Sequence, residues 1–273
     1  MGNVLEGSLY KKDANRFGKI VDVSKEFSGA YCGSSILGLS VFGIIENYAR
    51  KKEMALEILR YPFLDEELWA FTFVKRGTIF LCINSELAMC KQIFAAAHEL
   101  YHIRCYADGT DTNTIRAGSV LEANVADEIA MTQEDLEANA FAGLLLMPDG
   151  FMREQIRLYG LNESDIKLDD ILTLMEVFAV PYKAAVLRLF EERIITETKA
   201  RRLLQHDASY VVQRIEFTGK AKQWQMNSVN IEYFGSLLNN LEFNSENELL
   251  TESREDADRK FLKEIRAGFR KGR

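Results

Sequence analysis

The chain has 273 residues, 47% of them hydrophobic, enough for one substantial core with a smaller helical appendage. Its 41 acidic residues outnumber 34 Lys and Arg for a formal charge of -7, which disfavours broad phosphate-driven binding to nucleic acid and leans towards a protein or peptide partner. The polar start from Met1 to Asp13 lacks the apolar stretch of a secretory signal, and the longest apolar run, Ile36 to Ile45, is too short to span a bilayer; a soluble, cytoplasmic protein with no membrane partner is expected.

In chain order, Phe17, Ile20, Val21, Val23 and Phe27 mark one helix or two short elements between Ala14 and Ala30. A firmer helix starts near Ser34 or Ser35, either of which suits an N-cap. It carries Ile36, Leu37, Leu39, Val41, Phe42, Ile44, Ile45 and Tyr48 into the core and closes at Arg50, Lys51 and Lys52. Strand character follows: Leu56, Ile58 and Tyr61 form a short strand ended by Pro62, and Leu68 to Val74 is rich in Trp, Phe, Thr and Val. Lys75-Arg76-Gly77 then turns the chain into a third strand from Thr78 to Ile83. Asn84 or Ser85 is the expected cap of the next helix.

That helix is the centre of the chain. Lys91 to Cys105 contains no Pro or Gly, and Ala95 to Ala97 favour continuous helix. Within it stands His98-Glu99-Leu100-Tyr101-His102. Residues four apart lie one turn apart on the same face, so His98 and His102 present imidazole nitrogens to one point. Zinc accepts imidazole nitrogen at about 2.0 to 2.1 Å in a tetrahedral shell; two histidines and one further protein ligand leave its fourth position for water. Glu99, one residue after the first histidine, is placed to take a proton from such a water without binding the metal. Only three histidines occur in the chain, and two of them are here.

Tyr106 to Gln133 is polar and acidic, a connection long enough for a lid or binding loop, or for a solvated insertion with no role. Helix character returns from Glu134 to Met147, stopped by Pro148. A two-histidine zinc site needs a third ligand, and a carboxylate from this second helix is the best source. Asp135 and Glu137 are about 200° apart on a helix, so at most one faces the metal. Asp135 shares its face with Ala138 and Ala142, small residues that permit the close approach a short side chain requires, whereas Glu137 shares its face with Phe141 and Leu144. Asp135 is preferred, with Glu134 and Glu137 left open. The four cysteines, Cys32, Cys82, Cys90 and Cys105, include no CxxC pair and are expected to remain thiols.

The strand Ile79 to Asn84, the segment Phe94 to His102 and the segment Asp135 to Pro148, in this order, resemble the ImmA/IrrE metallopeptidases over roughly Leu56 to Pro148, with weaker likeness to about Leu204. The resemblance implies zinc held by His98, His102 and the acid three residues before the alanine of the Ala138-Asn139 pair, which is Asp135. Glu is usual there, and Gly is common where this chain has Tyr101. It also implies a peptidase that cleaves or inactivates transcriptional repressors of mobile elements or stress responses.

Beyond Pro148, Phe151 to Tyr159, Leu168 to Val177, Tyr182 to Ile195 and Glu197 to Leu204 read as helices. The middle pair resembles a helix-turn-helix, although Asp169, Asp170, Glu176, Glu191 and Glu192 would repel phosphate. Tyr210 to Phe217 reads as a strand, and Glu246 to Arg273 as a charged terminal helix or disordered tail. The expected fold class is α+β: a small three-stranded sheet, the HExxH helix and the second ligand helix, then a helical C-terminal region. Residues 1–150 are read as a zincin-like peptidase domain, 151–205 as a helix-turn-helix-like region and 206–273 as a C-terminal extension. The expected function is zinc-dependent cleavage of a protein substrate, with Glu99 catalytic and nucleic acid not bound directly. The alternatives are a regulator that sequesters a repressor without cutting it, and a DNA-binding regulator using helices 168–195.

Overall fold

The computed structural model describes residues 4–63, 67–109, 119–122, 132–219 and 233–271. After the single turn α1 (Leu9–Lys12), Asp13 accepts the Arg16 N–H and starts α2 (Ala14–Tyr31), one uninterrupted helix that buries Phe17, Ile20, Ser24 and Phe27. Helix α3 (Ser40–Lys51) begins later than the Ser34 or Ser35 start expected. Ser34 Oγ caps only a local turn at Ile36 N–H, Gly38 takes a left-handed φ of +47°, and Ile36 and Leu39 are exposed, so no apolar stripe extends the helix backwards.

The three expected strands are β1 (Ala55–Tyr61), β2 (Leu68–Lys75) and β3 (Thr78–Asn84). β2 and β3 form an antiparallel hairpin, closed at Lys75 and Thr78 by a two-residue turn in which Arg76 (φ +52°) and Gly77 (φ +80°) both take the left-handed conformation that such a turn requires. β1 runs parallel to β3 on its other side. The sheet is larger than expected: β4 (Ser119–Glu122) pairs with β2, and β5 (Tyr233–Phe234) pairs with β1, giving the order β4-β2-β3-β1-β5. Four and two residues are too short to show a period, and both strands gain their hydrogen bonds from an edge already built.

Helix α4 (Met89–Ala107) follows, and neither Asn84 nor Ser85 caps it; its N-cap is Ala88, without a side-chain bond. Asn84 is instead wholly buried and clamps the chain leaving β3: its Oδ1 accepts the N–H groups of Phe63 and Glu86, and its amide donates to Leu68 O. Every residue of α4 from Ala95 to Ile103 is buried, so this is a central helix rather than an amphipathic one with histidines at its polar edge. Most of the long acidic connection lies outside the described residues. Helix α5 (Gln133–Leu146) starts at a reciprocal cap, with Thr132 Oγ1 accepting Asp135 N–H while Asp135 Oδ2 accepts Thr132 N–H.

The remaining helices are α6 (Phe151–Leu158), α7 (Leu168–Phe178), α8 (Tyr182–Glu191), α9 (Glu197–Leu204), α10 (Ala208–Phe217), α11 (Leu237–Glu246) and α12 (Glu252–Lys271). The segment expected as a strand from Tyr210 is helix α10, because Asp207 caps Tyr210 N–H and Val211 and Ile215, four apart, are the positions that bury. Helix α8 is fastened to α5 by Arg188, which crosses Gly143 where a Cβ would stand 3.3 Å from its Cδ. The buried Arg188 guanidinium donates to Met147 O, Asp149, Glu191 and Glu192. One hydrophobic cluster runs from Leu5 through the sheet and α4 to Ile215. Among the described residues no helix is long and apolar enough to cross a membrane.

Candidate metal centre

Helices α4 and α5 lie antiparallel, with Ala95, Ala138 and Ala142 fully buried. Three polar contacts cross the pair in step. His98 Nδ1 meets Asn139 Oδ1 at 2.9 Å, Tyr101 donates its hydroxyl to Glu137 at 2.6 Å, and His102 Nδ1 meets Glu134 Oε1 at 2.7 Å. On the far side of the two rings, His98 Nε2 and His102 Nε2 stand 3.1 Å apart, and Asp135 Oδ1 is 3.5 Å from His102 Nε2. One ligand atom from each of these residues lies within 4.8 Å of the other two. Both histidines are buried and the Asp135 side chain is 20% exposed, so the cluster meets solvent on the Asp135 side.

The chemistry of this donor set fits a metal ion. Asn139 Oδ1 and Glu134 Oε1 are acceptors, so each ring donates from Nδ1 and directs Nε2 at the common point, the arrangement in which an outer partner fixes a metal-binding imidazole. Two Nε2 atoms and one carboxylate oxygen then converge, and one proton cannot serve all three. Ligands about 2.0 to 2.1 Å from a tetrahedral zinc would be separated by about 3.4 Å, close to the 3.1 Å between the histidines and the 3.5 Å from His102 to Asp135.

Burial and the neighbouring His102 hold the His98 imidazole neutral, down at about 3. Burial also opposes charge on His102, but Asp135, Glu134 and Glu99 outweigh it and push that imidazole up to about 9. Asp135 is held at about 2: burial works against its carboxylate, and the His102 and Thr132 hydrogen bonds win.

The three acids left open by the sequence therefore separate. Asp135 joins the cluster, Glu134 supports His102 from behind, and Glu137 accepts from Tyr101, Arg16 Nε (2.6 Å) and Gln133 (3.1 Å). Cys105 is buried outside the cluster, and His206 stacks on Tyr210. Glu99 is wholly buried, and its Oε2 accepts the Thr72 hydroxyl of β2 at 2.6 Å. Asn139 had a visible signal, lying one turn after Asp135. Thr72, the polar member of an apolar strand, had a weaker one, and Arg16 had none.

The small sheet, the α4 and α5 pair and the His-His-Asp cluster together define a metallopeptidase-like protein. Residues 51–190, just over half of the chain, match the family model Peptidase_M78, described as the IrrE N-terminal-like domain, and the chain belongs to this family. No curated protein matches the chain.

Proposed function

We propose that the protein is a zinc-dependent endopeptidase acting in the cytoplasm on a protein substrate, a transcriptional repressor or regulator of a mobile element or stress response. The observation that carries this reading is the commitment of both Nδ1 atoms to acceptors, which turns His98 Nε2, His102 Nε2 and the Asp135 carboxylate onto one point. These three would hold the zinc, and the imidazole donors favour it over magnesium or calcium. Bound zinc supplies Lewis-acid polarisation of a peptide carbonyl and acidifies a water. Glu99 accepts a proton from the attacking water and returns it to the leaving amine nitrogen, while Thr72 fixes the orientation of its carboxylate. Family membership supports the peptidase activity. The repressor substrate rests on the ImmA/IrrE resemblance, and the cytoplasmic setting on four cysteines left as thiols.

The test is metal analysis of the purified chain, followed by incubation with candidate repressor proteins, with and without chelator. Glu99→Gln should retain zinc and yield no fragments, and Asp135→Ala should lose zinc. An active Glu99→Gln protein would remove the assigned base. A tight, uncut complex formed by the zinc-loaded wild-type chain would replace cleavage by sequestration.

A further inference from the structure

Asp135 reaches the histidines with a short side chain, so the roll of α5 about its own axis decides whether its carboxylate meets them. The cap at Thr132 does not fix that roll, because it binds Asp135 to its own helix. Asn139 and Glu134 meet α4 at the histidine rings. Glu137 is different. It lies about 200° around α5 from Asp135, on the flank of the helix pair away from the cluster. There its buried carboxylate takes Tyr101 from α4 on one oxygen and Arg16 from α2 on the other, each at 2.6 Å. Tyr101 directly precedes His102, so the same stretch of α4 is gripped on two sides. Arg16 lies outside the family-matched segment, on a helix that packs along α5, and its side chain remains 47% exposed while that of Glu137 is 5% exposed.

We propose that Arg16 is a positioning residue for the candidate metal centre: the Arg16–Glu137–Tyr101 chain sets the roll of α5 that delivers Asp135 to His98 and His102. This rests on the metal reading above. Gln133, the third donor to Glu137, belongs to α5 itself and ties the carboxylate to no other helix. With its two inter-helix donors the buried carboxylate has one well-defined place, and withdrawing either lets it move towards other partners, carrying α5 with it. Helix α2, although outside the family match, is then a working part of the site.

The test measures zinc affinity of the full chain by competition with a chromophoric chelator, beside thermal unfolding of the chelator-stripped protein. Arg16→Ala should weaken zinc binding by up to about tenfold, the lower end of the range for groups that touch a metal ligand directly, because Arg16 acts one step further out. Arg16→Lys, which keeps the charge, should recover most of that loss. Tyr101→Phe, which removes only the hydroxyl, should weaken binding in the same direction and decides the matter if Arg16→Ala does not fold. Lys25→Ala is the control: it removes another ion pair of α2, with Asp149, and should leave zinc affinity unchanged. Wild-type affinity in both Arg16→Ala and Tyr101→Phe overturns the proposal, as does an equal loss in Lys25→Ala, which would mean general loosening of α2. A wild-type chain that binds no zinc overturns the metal reading itself, and this one with it.

Discussion

His98 Nε2 and His102 Nε2 face each other across 3.1 Å, each ring already donating from its other nitrogen. With His98 held neutral at about 3 and His102 raised to about 9, the pair by itself carries one proton beyond the two on its Nδ1 atoms across the neutral range.

That proton must leave when a metal binds. Metal requires His102 deprotonated, so below about pH 9 apparent zinc affinity should fall about tenfold per pH unit as pH drops, and should level off above it. Between pH 6 and 8, calorimetry in buffers of differing ionisation enthalpy should register about one proton released per zinc. An affinity independent of pH across this interval would contradict the assigned protonation.

Glu134 stands behind His102, and its carboxylate sets the tautomer and basicity of that imidazole. Glu134→Gln keeps the shape and removes the charge; zinc affinity should drop about 10-fold to 100-fold. The same lost charge should lower the pKa of His102 in the metal-stripped protein, readable by NMR titration. An unmoved His102 would rule out this coupling.

Thr72 reaches Glu99 from the neighbouring strand. Thr72→Val preserves the β-branched shape and deletes the donor, leaving the Glu99 carboxylate less well oriented. Once a substrate is in hand, kcat should fall about tenfold, a small part of the effect expected for a general base, with KM and zinc content close to wild type. A change confined to KM would place Thr72 in substrate binding instead.

Arg188 is a matter of stability. Its guanidinium pairs with the buried Glu191 at 2.8 Å and binds the last carbonyl region of α5 at Met147 O. Arg188→Ala should destabilise the fold by about 3–5 kcal/mol, the cost of leaving a buried charge without its partner. Denaturant unfolding measures it, and a loss below about 1 kcal/mol would show that Glu191 sheds its charge at little expense.

Much of the architecture is legible in the sequence. The β2–β3 hairpin follows from apolar strands around a glycine able to take positive φ, and the HExxH helix from an unbroken run without Pro or Gly. The misplaced elements share a cause. The start of α3 depends on the left-handed Gly38, and α10 on which of its apolar residues find a neighbour. β4 and β5 exist only through strands distant in sequence. Asn84 looks like a cap by position, yet serves as a clamp because the strand end it occupies is buried.

Local periodicity by itself determined that two imidazoles share one helical face with a glutamate beside them, and that an acidic helix start lies downstream, because a turn of 3.6 residues acts over four positions. Which of Glu134, Asp135 and Glu137 turns to the Nε2 side of those imidazoles was decided only by the packed pair of helices. Neighbouring acids point about 100° apart, and the roll that selects one of them comes from alanines, a tyrosine and an arginine brought together from three separate helices.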